Sequence, residues 1–175
     1  MSIFTGIRTV KIKNYSNIQE EYIANAAITP GMLVELMSTG KIRKHATAGG
    51  NCEKMFLIED ALQGKGIDDN VAANDNVRVW IPGRGDQVNA LLRDEQTIVI
   101  GDLLESDGEG RLQKHAADYK SFQSGDNAAD WALSVLPEQI VGVALEAKDL
   151  STLPEGSDSS AGGAYYNPRI AIRII

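Results

Sequence analysis

Cysteine is all but missing from this chain: Cys52 stands alone among 175 residues. A single thiol excludes an internal disulfide and any cysteine cluster for a metal, and it fits folding in a reducing cytoplasm. Histidine is nearly as scarce. His45 and His115 are the only two, and without cysteine or acidic partners at ligand spacing they make a poor zinc site. No apolar run approaches the roughly 20 residues that a membrane-spanning helix needs. The start, MSIFTGIRTVKIKNY, lacks the apolar centre of a signal peptide. Cationic charge is short as well: 17 Lys and Arg against 24 Asp and Glu leave a net charge of −7. That argues against nucleic acid as a partner, because neutralising phosphates needs a clustered cationic face. What remains is an ordinary globular composition, 43% hydrophobic and 23% charged, long enough for one domain with a sizeable core.

The chain does contain an internal repeat. Thr29 to Thr47, TPGMLVELMSTGKIRKHAT, returns without a gap as Val99 to Ala117, VIGDLLESDGEGRLQKHAA. Gly31/Gly101, Leu33/Leu103, Glu35/Glu105, Gly40/Gly110, Lys44/Lys114, His45/His115 and Ala46/Ala116 are identical in that register. Each copy opens on a glycine after a tight turn and runs through a short apolar strand. It then turns at Ser38-Thr39-Gly40 or Asp107-Gly108-Glu109-Gly110 and returns on alternating residues, with Ile42 and Leu112 inward and the cations toward water. Each copy is therefore a β-hairpin. A buried-looking run follows each one, Met55 to Ala61 and Ile140 to Ala147. Two hairpins cannot stand alone, so the copies are expected to pack on one core.

The expected architecture is mainly β: a compact barrel- or sandwich-like body built from two related hairpin modules, with an extended N-terminal arm and little helix. Residues 1–27 read as the arm, or as a peripheral strand system, with an edge strand over Ile7 to Lys13. Ser16 is placed to cap a short helix over Ile18 to Tyr22. Residues 28–150 form the body, holding the repeat as 29–62 and 99–147. Val77 to Ile81 reads as a clear strand, Pro82 to Asp86 as a turn, and Ala128 to Leu133 as one helical turn. Residues 151–175 read as a flexible loop, STLPEGSDSSAGG, followed by a C-terminal strand. Its end, Ile172-Arg173-Ile174-Ile175, would be an apolar edge needing a partner strand or subunit to cover it.

Candidate chemistry is thin. His45 and His115 share a repeat position, so structure outweighs ligation. Cys52 lies near His45 without marking a nucleophile–base pair. Glu35 and Glu105 are the best carboxylate pair. They are expected to face water or to pair with Lys44 and Lys114, and to act as acid and base only across a cleft between the modules. Gly64-Lys65-Gly66 and Gly83-Arg84-Gly85 lack a phosphate-loop frame. Asp68-Asp69-Asn70 and Asn74-Asp75-Asn76 lack the pattern of a calcium loop. Arg84-Gly85-Asp86 reads as a turn. No catalytic, cofactor-binding or metal residue is assigned.

The stretches Gly31-Met32-Leu33-Val34-Glu35, His45 to Gly50, Phe56 to Asp60, Ala61 to Asp69, Asp86 to Leu92 and Gly101 to Gly108 resemble the head decoration, or capsid cement, proteins of tailed bacteriophages. The resemblance spans roughly residues 28 to 147 and rests on turns and strand ends. It implies a β-rich virion protein on the outer surface of the head, made in the host cytoplasm and binding the major capsid protein, with no catalysis and no cofactor. Self-association as a dimer or trimer is expected, with the arm ordering on a capsid neighbour. Two other readings stand beside it: a glycan-binding module using Trp80, Trp131, Tyr165 and Tyr166, and a small β-fold enzyme using Glu35 and Glu105.

Overall fold

The computed structural model describes residues 6–116, 140–152 and 168–175. Thirteen strands are found there: β1 (Lys11–Lys13), β2 (Ile18–Ile23), β3 (Leu33–Leu36), β4 (Ile42–Lys44), β5 (Met55–Leu57), β6 (Asn76–Ile81), β7 (Gln87–Leu91), β8 (Thr97–Ile98), β9 (Leu103–Ser106), β10 (Leu112–Lys114), β11 (Ile140–Ala144), β12 (Lys148–Asp149) and β13 (Arg169–Ile174). One 3-10 turn, Ala61–Gln63, completes the regular structure of the described residues, and Asp60 caps it. The expected mainly-β, sandwich-like body is what forms.

Two sheets carry the fold. The first runs β2-β6-β5-β3-β4 and the second β1-β7-β13-β11-β9-β10. Setting β1 aside, the two orders are the same. The pairing register agrees too. Val34, Glu35 and Leu36 face Lys44, Arg43 and Ile42, as Leu104, Glu105 and Ser106 face Lys114, Gln113 and Leu112. Leu33 pairs with Phe56 as Leu103 pairs with Val143. Phe56 pairs with Trp80 as Val143 pairs with Arg173. Ile23 pairs with Asn76 as Leu91 pairs with Arg169. The duplication thus reaches well beyond the 19-residue repeat legible in the sequence. Its spacing drifts, from 68 between β2 and β7 (91 − 23) to 93 between β6 and β13 (173 − 80).

Each sheet also closes at one corner. Ala24 bridges Ile42 in parallel, and Leu92 bridges Leu112 in parallel. The parallel sense is forced. Four successive antiparallel pairings turn β4 back to the direction of β2, and β10 to that of β7. Asn25 N–H donates to Ile42 O and Arg93 N–H to Leu112 O, both at 2.8 Å. Inside the first barrel sit Ala24, Ile28, Val34, Ile42, Met55, Leu57, Val71, Val77 and Val79. Strand alternation then sends Leu33, Phe56 and Trp80 to the outside of that barrel. There they join a second cluster that also holds Leu92, Leu104, Leu112, Ile170 and Ile172 of the other sheet. Along β5 and the neighbouring parts of β3 and β6 the first sheet is buried on both faces, while β2 and the far ends of β3 and β4 stay exposed.

The N-terminal segment differs from its reading as an arm. Over its described residues it is the peripheral strand system: β1 lies beside β7, and β2 pairs with β6 along all six residues. Val10 is fully buried, and its N–H donates to Glu59. Removing residues 1–13 should therefore harm the fold itself. The helix expected over Ile18 to Tyr22 is a strand. The open edge of β6 supplies a partner for every one of its residues, and pairing of that kind overrides weak helix propensity. The C-terminal strand lies between β7 and β11, with Ile172 and Ile174 buried in the core. Neighbouring strands of the same chain cover it, so it needs no other subunit. The helical turn expected at Ala128 to Leu133 and most of the loop after Ser151 lie outside the described residues.

Candidate functional site

The two modules meet along a seam, and the residues singled out by the repeat lie on it. On the first module the seam is the entry to β3 and the loop after β4. On the second it is the β9–β10 turn and the start of β13. Leu33 N–H donates to Gly110 O at 2.8 Å, Gly110 N–H to His45 O at 3.2 Å, and Gly49 N–H to Ser106 O at 2.8 Å. Leu91 N–H donates to Gly31 O at 3.0 Å. Arg169 donates to Pro30 O at 2.7 Å and to Ile67 O at 2.5 Å, and pairs with Asp68 at 3.3 Å. Gly31 has φ +90°, and a Cβ there would lie 2.6 Å from Arg169 Nη1 and 3.1 Å from Asn89 O. Glycine is thus required twice over, by the backbone angle and by the close approach.

His45 is the centre of the seam. Its Nδ1 lies 2.7 Å from Ser106 Oγ, and its Nε2 lies 3.3 Å from Asn51 O and 3.7 Å from Glu35 Oε2. Serine, histidine and carboxylate in that order are the residue types of an activated nucleophile. The geometry does something else. Ser106 is 0% exposed and His45 1%, and the Ser106 hydroxyl also accepts from Gly108 N–H. A substrate carbonyl must come within about 3 Å of the nucleophile, and in this conformation nothing can reach that oxygen. The trio fastens the two modules together by satisfying polar groups that burial would otherwise strand.

Glu35 and Glu105 do not pair with Lys44 and Lys114. Glu35 binds Arg43 at 2.6 Å, and Glu105 binds His115 at 2.6 Å and Gln113 at 2.9 Å. Their strand positions place these partners directly across the hairpin and at its end. Lys44 instead reaches over the seam to Glu109, and Lys114 binds Asp102 at 2.8 Å. That lysine holds the Asp102 carboxyl below its ordinary value, with Val99 N–H assisting. Glu105 is buried rather than facing water. Burial pushes the Cys52 thiol up to about 11, against a smaller opposing pull from Lys54, so at neutral pH it is a protonated, poorly nucleophilic group.

The remaining motifs are structural parts. Asp86 is buried and accepts from Tyr15 N–H and Gly83 N–H, which builds the turn at Arg84-Gly85-Asp86. Asp69 accepts from Gly66 N–H, and Lys65 pairs with Asp75. Trp80 is fully buried and its Nε1–H donates to Ser16 O, so it cannot line a glycan site; Trp131, Tyr165 and Tyr166 lie outside the described residues. Ser106 and Arg169 were invisible in the sequence. The repeat hides Ser106, because its equivalent in the first copy is Leu36. A polar residue in one copy opposite an apolar one in the other is the signal that could have marked it.

No protein-family model matches the chain, and no curated protein matches it. Among solved structures the chain is similar to the head fiber gp8.5 N base of bacteriophage phi29. The TM-score is 0.51 at 11% identity, over 91% of this chain and 95% of that one. At that identity the likeness is one of fold.

Proposed function

We propose that this protein is a structural component of a tailed-phage virion that binds the outer surface of the assembled head and ties neighbouring major capsid protein subunits together. The observation that carries the reading is the fold likeness to a phage head fiber base across 91% of the chain. The turn and strand-end motifs that resemble head decoration proteins support it independently. The physical logic is mass action. A protein that binds the assembled shell and not its free subunits stabilises the shell by the free energy of binding. Many identical copies on one surface add avidity to a modest single-site affinity. The net charge of −7 keeps such a protein from competing for DNA.

The test is to purify heads formed without the protein and add it back. It should sediment with intact heads and not with unassembled capsid subunits, and decorated heads should release DNA at a higher temperature than bare ones. Failure to co-sediment, or identical release temperatures, would refute the reading.

A further inference from the structure

The seam between the modules is head-to-tail: it uses different surfaces on the two copies. Each copy therefore keeps, on its far side, the surface that its twin has buried. On the first module Pro30, Gly31, Leu33 and His45 are covered by the second. Their equivalents Ile100, Gly101 and Leu103 are exposed, and His115 is half-buried. On the second module Leu91, Ser106 and Gly110 are buried in the seam, whereas their equivalents Ile23, Leu36 and Gly40 on the first are exposed. The contrast is direct at the glycines. A Cβ on Gly31 or Gly110 would meet its neighbours at 2.6 Å or 2.9 Å, and one on Gly101 or Gly40 would meet nothing within 4 Å.

These two uncovered faces are apolar, even at Leu36, where the seam has Ser106. Ile100 is 69% exposed, Leu103 37%, Leu36 51% and Ile23 42%, so four of the nine large hydrophobics left exposed among the described residues stand at seam-equivalent positions. Scattered single apolar residues on a surface need no explanation, but matched sets at the two ends of a duplicated fold do.

We propose that a second copy of this chain docks here, its first module resting on the second module of the first copy as the two modules rest on each other within one chain. Leu91 against Gly31 becomes Ile23 against Gly101. Gly110 beside Leu33 becomes Gly40 beside Leu103. Ser106 beside His45 becomes Leu36 beside His115. The contact is heterologous, so it makes a closed ring, or an open filament where the rotation does not close, rather than a twofold pair. This inference rests on the duplication alone and not on the virion reading.

The test uses the full-length protein and two variants, Leu36→Asp and Leu103→Asp, at exposed positions chosen to spare the fold; unchanged melting curves check this. Sedimentation equilibrium should show the wild type as an oligomer and each variant alone as a monomer. Mixing the two variants should restore a one-to-one dimer and nothing larger, because Leu36 of one variant can still meet Leu103 of the other. A monomeric wild type at every concentration, an oligomer insensitive to both variants, or a mixture that stays monomeric would overturn the proposal. A monomer whose Leu103→Asp variant fails to decorate phage heads would overturn it as well, by giving that face to the capsid.

Discussion

The two modules share strand order, register and turn glycines, yet one hides its outer face and the other shows it. Leu33 and Leu103 are the same residue at the same place in the same hairpin; the first is fully buried and the second 37% exposed. Phe56 and Trp80 are buried where Val143 is half-buried and Arg173 exposed. Alternation along a strand decides which side chains enter a barrel, and it acts alike on both copies. What lies outside the barrel is decided by stacking, which acts once. A duplicated fold joined head-to-tail therefore buries one outer face within the chain and leaves the other uncovered by it, and the difference between Trp80 and Arg173 follows that division.

The largest effect should come at that pair. Trp80→Ala removes a fully buried indole and its hydrogen bond to Ser16 O, which should cost about 3–5 kcal/mol. Arg173→Ala should stay within about 0.5 kcal/mol. Denaturant midpoints with unchanged slopes would measure both; equal losses would show that the first module's outer face is not a seam.

The glycines give a smaller and more pointed test. Gly31, Gly101, Gly40 and Gly110 all hold positive φ, so alanine at any of them incurs about 1–2 kcal/mol of backbone strain. Gly31 and Gly110 add a clash with seam atoms, worth about 1–3 kcal/mol more. Gly31→Ala should thus exceed Gly101→Ala, while Gly110→Ala exceeds Gly40→Ala. The order inverts between the copies, and a result in which one copy is the more sensitive at both positions would break the head-to-tail arrangement.

The smallest effect concerns charge. Lys114 finds Asp102 within its own module, whereas the equivalent of Asp102 in the first copy is Met32 and Lys44 crosses the seam to Glu109. The Asp102 carboxyl is held below its ordinary value. Its contribution to stability is therefore present above the unfolded value and is lost as pH falls through the folded one. Melting temperatures taken on acidification should fall more steeply for the wild type than for Asp102→Asn, which carries no titrating group there. Superimposable curves would show that the pair contributes nothing.

The sequence by itself determined the hairpins. Gly40 and Gly110 set the turns, Ile42 and Leu112 set the inward face, and a turn of constant length kept the two copies in one ungapped register. It also determined β6 and β13, where Val77, Val79, Ile170 and Ile172 alternate with polar or outward residues. The full extent of the duplication was not legible, because unequal inserts move β2, β5 and β6 by different distances from their twins and dissolve any fixed period. Nor was β2. It hydrogen-bonds along a barrel edge with most of its side chains in water, so no apolar rhythm marks it. The joining of Ser106 to His45 and the burial of Leu33 but not Leu103 belong to the tertiary structure alone. Identical residues carry identical local preferences, and only the placement of one module against the other gives them different surroundings.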